Sequence, residues 1–390
     1  MLWPMAPPDP FVPAQLGPLT LKNRVIKAAT FEGLTRKNVV SDKLIEFHRA
    51  FARGGVGMTT VAFCAVASDA RSAPAEIVLG DEATAGLAHL ADEIHAEGAA
   101  VSVQIGHAGA VAAATGHKGR SPSRIFSPLA MQFTKALESS EIDRIIGDFV
   151  SAATRVADAG CDAVELHFGH GYLPSEFLSP KLNRRSDAWG GSLENRSKFA
   201  RRIAEGVRNA VDGRVAVLAK LNMADGVDGG LWLDESVRVG AMLEADGTLD
   251  AIELTVGSSL ENPMYFFRGE APIQEMAEMF PQPMKTGFRL FGRRFLHEYP
   301  FEEAYLLPYA RQFREALTMP LILLGGINRR DTIDRAMADG FEFVAMGRAL
   351  LREPDLVARL EKGDTEEGLC IHCNKCMPTI YTGTRCVLVS

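Results

Sequence analysis

Residues 323–355 read LLGGINRRDTIDRAMADGFEFVAMGRALLREPD, and two strand–helix units lie in that stretch in tandem. An apolar run (LILLGG, 321–326) breaks at a glycine pair. A segment of helical period follows over 329–339 and ends at Gly340. A second apolar run (FEFVAM, 341–346) breaks at Gly347-Arg348 before another helical segment, 349–361. Strands that alternate with helices cross over right-handedly and build a parallel sheet.

The same unit recurs upstream. Apolar runs at 24–29, 57–63, 100–105, 162–167, 215–221 and 250–256 alternate with helical patterns at 41–54, 82–98, 141–160, 193–212, 234–247 and 302–317. The runs are continuous rather than alternating, as expected for parallel strands covered on both faces. Ser41, Asp81, Ser140 and Asp234 are expected N-caps, and Gly160, Gly247 and Gly340 expected helix ends. Eight units imply an α/β chain closed into a (β/α)8 TIM barrel, a single domain over 1–368, with an open doubly wound sheet as the competing architecture. Two connections exceed an ordinary barrel loop: 106–140 after strand three, containing GHKGRSPSR, and 257–301 after strand six, rich in Pro, Phe and Met. Both leave the C-terminal ends of strands, where barrels build their sites, so they are expected to wall a substrate. Tyr265, Phe266, Phe267 and Phe288 are the apolar candidates for that wall.

A formal net charge of −7 without a long basic run gives no footprint for nucleic acid. No run reaches the ~18 to 20 apolar residues of a membrane span. The opening MLWPMAPPDPF has neither the charged nor the apolar region of a secretory signal, so the expected location is the cytoplasm. A homo-oligomer is among the assembly states left open.

Chemistry concentrates in two places. ELHFGHGYLPSEFLSP (165–180) puts His167 at a strand's C-terminal end, with His170 and Tyr172 in the turn that follows. The bland reading is two satisfied histidines and a core tyrosine; the strand-end position favours one cleft. No third histidine or carboxylate of metal-site spacing stands nearby. At the other place, Gly326, Gly347 and Arg348 end strands seven and eight, where barrels bind phosphate through backbone N–H groups and a cation.

The run ELHFGHGYLPSEFLSPKLNRRSDAWGGSLENR closely resembles the signature of the old yellow enzyme family of FMN-dependent oxidoreductases. The agreement extends from LTLKNRVIKAA through VQIGHAG to GGIN and MGRALLREPD. The resemblance implies FMN in the barrel mouth, NAD(P)H as reductant and a small-molecule substrate. His167 and His170 resemble the pair that hydrogen-bonds a substrate carbonyl, and Tyr172 the residue that protonates the α-carbon of an activated alkene. Ala28, Ala29 and Thr30 would lie against the flavin ring, Gln104 and Lys220 at its pyrimidine edge, and Gly326, Gly347 and Arg348 at its phosphate. Three positions depart from the family pattern. Phe31 stands where Thr or Cys is usual, Phe63 where a smaller residue is usual, and Lys220 where an arginine is usual. A lysine brings one point charge instead of a planar fork. The implied activity is ene-reduction. The alternative is an amine or demethylating dehydrogenase that passes electrons to an acceptor through an iron–sulfur cluster.

Of six cysteines, Cys64 and Cys161 sit in apolar runs and are expected to be buried thiols. The tail 369–390 carries Cys370, Cys373, Cys376 and Cys386 as C-x2-C-x2-C-x9-C. This resembles the [4Fe–4S] segment of the 2,4-dienoyl-CoA reductase and trimethylamine dehydrogenase branch, although the last spacing is shorter here. No strand followed by G-x-G-x-x-G comes after it. Zinc and a vestigial thiol set are the competing readings.

Overall fold

In the computed structural model, which describes residues 7–35, 37–112 and 118–389, eight parallel strands close on themselves. They are β1 (Val25–Lys27), β2 (Met58–Ala65), β3 (Ala100–Gly106), β4 (Ala163–Phe168), β5 (Ala216–Asn222), β6 (Ala251–Thr255), β7 (Leu321–Leu324) and β8 (Phe343–Met346). β8 pairs with β1, and β1 with β2, which completes the (β/α)8 barrel. The first six residues of the opening segment and the Gly116-His117 start of GHKGRSPSR lie outside the described residues.

Each strand serves two layers. On β4, Val164, Leu166 and Phe168 pack in the outer strand–helix core, while Ala163 packs in the barrel floor. Glu165 and His167 share the parity of Ala163. The outer layer is closed by α1 (Asp42–Arg53), α2 (Asp81–Ala96), α3 (Ser139–Asp158), α4 (Leu193–Val211), α5 (Leu233–Asp246), α6 (Leu307–Ala316), α7 (Arg330–Ala338) and α8 (Leu356–Lys362). On α3, Ile142, Ile145, Phe149 and Val156 are fully buried, and each such side chain contributes about 1.5–3 kcal/mol of transfer free energy. An N-terminal hairpin (Ala14–Leu16 with Leu19–Leu21) plugs the floor, packing Leu16 and Leu21 with Ala216, Leu218 and Phe343. Cys64 and Cys161 are buried.

Some expected details shift. Ser41 caps α1, accepting from Leu44 N at 3.3 Å. Asp81, Ser140 and Asp234 do not cap: the caps are Gly80, Glu138 and Trp232. Glu138 trades hydrogen bonds with Glu141 in a capping box, and Asp81 and Asp234 instead place negative charge in the first turn. Gly160, Gly247 and Gly340 do end helices, with φ of 75°, 65° and 86°. The segment 349–361 is two helices, Arg348–Arg352 and α8, because Pro354 forces Glu353 into an extended conformation. The 257–301 connection contains three short helices, Met264–Phe267, Ile273–Ala277 and Met284–Phe291.

The tail returns across the strand ends. Thr384 N donates to Glu32 O at 2.7 Å, Asn374 Nδ2 donates to Arg268 O and Glu270 O at 2.8 and 2.9 Å, and His372 stacks on Phe301 at 3.4 Å. Gly33 makes that docking possible. Its φ is +61°, and a Cβ there would sit 2.0 Å from Ile380 O. Gly33→Ala is expected to lower the melting temperature through strain on the order of 1–3 kcal/mol. It is also expected to expose the tail to protease while the barrel stays resistant. An unchanged melt and an unchanged digest would show that the tail does not depend on this contact.

Candidate active site

His167 ends β4, and the chain then turns sharply. Gly169 leaves room for Thr255, whose Cγ2 would stand 2.9 Å from a Cβ, and His170 takes a left-handed φ of 58°. A non-glycine residue holds that conformation only where the surroundings enforce it. Here Asn222 Oδ1 accepts from His170 N at 3.1 Å, and Thr255 Oγ1 lies 2.8 Å from His170 Nε2. The turn folds His170 back so that its ring is 5.1 Å from that of His167. Tyr172 follows, 4.5 Å from His167 and 4.9 Å from Phe63 between ring centroids. The two histidines and the tyrosine therefore meet at one strand end.

All three are neutral. Burial, then His170 and Lys220, holds His167 well below the usual imidazole range. Burial and Lys220 bring His170 down to about 3. Burial, then Glu76, raises the Tyr172 phenol above its ordinary value. Neutral imidazoles and a phenol can each donate a hydrogen bond without carrying charge. His167 Nδ1 is buried without a partner. Behind Tyr172 stand Ser72 and Glu76. The Ser72 hydroxyl donates to Glu76, whose carboxyl burial lifts to about 7.

Below the histidines lies a charged layer. Gln104 Nε2 donates to Glu165 Oε1 at 2.7 Å, and Lys220 Nζ lies 3.2 Å from Glu165 Oε1 and 2.8 Å from Glu253 Oε1. Lys220 thus pairs with two carboxylates inside the barrel. Thr30 Oγ1 is engaged by Lys27 Nζ at 2.6 Å, which also reaches Ala28 O. Ala29 and Thr30 are half-exposed at the end of β1, and Phe31 packs against the outer core.

At β7 and β8, Gly325 and Gly326 take φ of 108° and 75°, and a Cβ on Gly347 would meet nothing closer than Thr30 Cγ2 at 3.7 Å. The β7 turn is packed, since a Cβ on Gly325 would stand 2.5 Å from Leu306 Cγ and one on Gly326 2.7 Å from Tyr305 Cδ1; of the three glycines, only Gly347 borders open space. Arg348 does not point into it. Its guanidinium donates to Arg268 O at 3.1 Å and to Asn374 Oδ1 in the tail. With Arg348, the four tail cysteines line one cavity. Among the described residues no three His, Cys, Asp or Glu converge tightly enough to hold a single metal ion. Of the expected wall residues, Phe266 lies 4.6 Å from the His170 ring and Phe267 packs on Phe266. Tyr265 is buried and bonds Tyr309 at 2.9 Å, and Phe288 packs on Phe280 away from the histidines.

Sequence reasoning missed Glu165, Glu253, Asn222, Thr255, Ser72 and Glu76. Four of these were signalled by polar residues at alternate positions of apolar strands.

A closed barrel whose mouth carries neutral donors above a charged layer, with open space beside Gly347, has the make-up of an enzyme active site. The comparisons give the family. Residues 9–257 match the NADH:flavin oxidoreductase / NADH oxidase family, and the chain belongs to it, within the old yellow enzyme group. Its cofactors are FMN and NAD(P)H. The chain is 54% identical over 383 residues to 4,4'-dithiodibutanoate disulfide reductase of Rhodococcus erythropolis, covering 98% of this chain and 95% of that one. The 2-naphthoyl-CoA reductase in complex with 2-naphthoyl-CoA superposes with a TM-score of 0.82 at 26% identity, over 97% of this chain and 56% of that one. The old yellow enzyme homologue from Zymomonas mobilis shares the fold, with a TM-score of 0.73 at 20% identity over 94% and 96%. The chain spans about half the length of several other relatives it matches. No helix among the described residues is long and apolar enough to cross a membrane.

Proposed function

We propose that the protein is an NAD(P)H-dependent ene-reductase acting on a small α,β-unsaturated carbonyl compound. The observation that carries this reading is the convergence of two neutral imidazoles and a neutral phenol at the end of β4. FMN fits the residues present. Gln104 and Lys220 offer donors for the pyrimidine edge, the backbone of Ala28 to Thr30 borders the ring, and the open space beside Gly347 can take the phosphate. Arg348 joins that phosphate set only by leaving Asn374. When bound, FMN supplies hydride, received from NAD(P)H, to the substrate's β-carbon. His167 and His170 donate to the carbonyl oxygen and draw electron density from the C=C bond. Tyr172 gives its proton to the α-carbon. Phe266 walls the cleft beside His170, and Phe63 narrows it beside Tyr172.

The disulfide reductase named among the relatives favours a second reading, in which the same donors serve cleavage of a small disulfide. There Tyr172 would protonate the departing thiolate. Under anaerobic NADPH the two separate by product: cyclohexanone from cyclohexenone supports the first reading. Thiol release from dithiodibutanoate with no alkene turnover would replace it by the second.

For the tail we propose a [4Fe–4S] cluster held by Cys370, Cys373, Cys376 and Cys386 as a lobe, 369–390, on the barrel of 1–368. The four sulfurs line one cavity, and four thiolates in a C-x2-C-x2-C-x9-C tail can hold such a cluster. Burial pushes the Cys376 thiol up to about 11, so ligation must release a proton. Anaerobically purified protein is expected to contain iron and acid-labile sulfide in equal amounts, both lost in Cys376→Ser. Zinc in their place would overturn the assignment.

A further inference from the structure

The charged layer under the histidines is out of balance, and nothing in the roles given so far uses the imbalance. Glu165, Glu253 and Lys220 are each no more than 2% exposed. Glu165 has two partners, the Gln104 amide and the Lys220 ammonium. Glu253 has the ammonium, 2.8 Å from its Oε1, and otherwise faces the Glu165 carboxyl, a like charge that raises its proton affinity; neither of its oxygens makes a well-formed hydrogen bond. Lys220 faces it from β5 and Glu165 from β4, while β7 presents uncharged Ile322 beside it. The remaining charge within range is Lys27 on β1, held by Ala28 O and Thr30 Oγ1. With both carboxylates ionised, the Glu165–Lys220–Glu253 set carries a net negative charge, offset only in part by Lys27, whose ammonium is weakened by burial and faces Glu32 first; such a charge is costly to bury. A proton on the less well-held carboxyl removes that cost; burial lifts Glu253 to about 7, so at alkaline pH it rests as a carboxylate that an added negative charge nearby would protonate.

The layer is also placed to sense the mouth. Glu165 and Glu253 lie two residues before His167 and Thr255 on the same strand faces, about 6.6 Å lower at 3.3 Å per residue. The flavin position argued above rests on Gln104 and Lys220 of this same layer.

We propose that Glu253 is the proton-accepting site coupled to reduction of the flavin, and that its protonation frees Lys220 to serve the flavin's pyrimidine edge. Hydride, carrying two electrons and one proton, passes from NAD(P)H to the flavin and leaves NAD(P)+ and an anionic reduced flavin. The new negative charge raises the proton affinity of Glu253, whose carboxylate takes one proton from solvent and becomes a carboxylic acid. Lys220 then faces one carboxylate and one flavin anion instead of two carboxylates. Glu253 never touches the flavin; it is a positioning residue that acts through Lys220. The inference rests on the flavin placement proposed above and is independent of which substrate reoxidises it.

The test is the midpoint potential of the bound flavin measured from neutral into alkaline pH. One proton per two electrons changes the reduction equilibrium tenfold per pH unit, which is 29.6 mV for a two-electron couple. Two protons change it a hundredfold. The expected dependence is hundredfold per unit in the wild-type protein and tenfold in Glu253→Gln, with the anionic reduced-flavin spectrum in both. Reduction of the wild-type protein by NADPH in weakly buffered indicator solution at alkaline pH, where Glu253 starts as a carboxylate, is expected to take up close to one proton, a count that stands even if the variant fails to fold. A tenfold dependence in the wild type, or a hundredfold one that persists in Glu253→Gln, would overturn the proposal. So would a neutral reduced-flavin spectrum, which puts the proton on the flavin itself. Protein that binds no flavin would remove the placement on which the proposal stands, an outcome read from the absorption spectrum before any potential is measured.

Discussion

Tyr172→Phe is expected to slow reoxidation of the reduced enzyme by cyclohexenone about 10²- to 10⁴-fold, the usual range for a general-acid step. Reduction by NADPH should keep its rate. The substitution preserves the ring that packs on Phe63 and His167, so the turn after β4 stays in place. What it removes is the proton. Burial keeps the phenol protonated, as an acid must be at the start of the step. The side chains behind it, the Ser72 hydroxyl and the Glu76 carboxyl poised near 7, are suited to replace the proton afterwards. Stopped-flow measurement of the two half-reactions separates the cases. Equal loss in both would count against Tyr172 as the acid.

His167→Ala is expected to loosen binding of carbonyl and phenolic ligands by about 1–3 kcal/mol, roughly ten- to hundredfold, because the ligand oxygen loses a buried donor. The deletion also opens space beside Phe63 and Tyr172, so the alkene turns over more slowly than weaker binding alone explains. His170→Ala should act in the same direction. It additionally releases Thr255, while the left-handed backbone at that residue remains strained, since alanine keeps its Cβ. Ligand affinity measured by perturbation of the flavin spectrum checks both variants. Unchanged affinity in the two would sink the role given to the pair.

The barrel could be read from the sequence because its strands are covered on both faces, which writes them as unbroken apolar runs, and because glycines punctuate them at Gly160, Gly247, Gly325 and Gly340. Helix starts were less legible. At Asp81 and Asp234 an acidic residue inside the first turn, one and two positions after the cap, carries the same sequence signal as a cap. The His167–His170–Tyr172 group was legible because its members are adjacent in sequence. Glu165, Lys220 and Glu253 come from three strands, and only the closed register brings them into contact. A charged residue on the same parity as His167 in VELH, and a matching one in IELT, was the available signal. The docking of the tail on Gly33, Arg268 and Phe301 had no sequence signal at all, since it joins segments far apart in the chain through backbone groups and one stacked ring. It is that docking which draws Arg348 toward the cysteines and away from the glycine turns.

An anaerobic visible absorption spectrum of the purified protein, recorded before and after NADPH and again after cyclohexenone, tests the ene-reductase assignment most directly. The predicted record is a flavin band that bleaches with NADPH and returns with the enone. A colourless protein that takes up no FMN, or a bleached flavin that the enone leaves bleached, would contradict it.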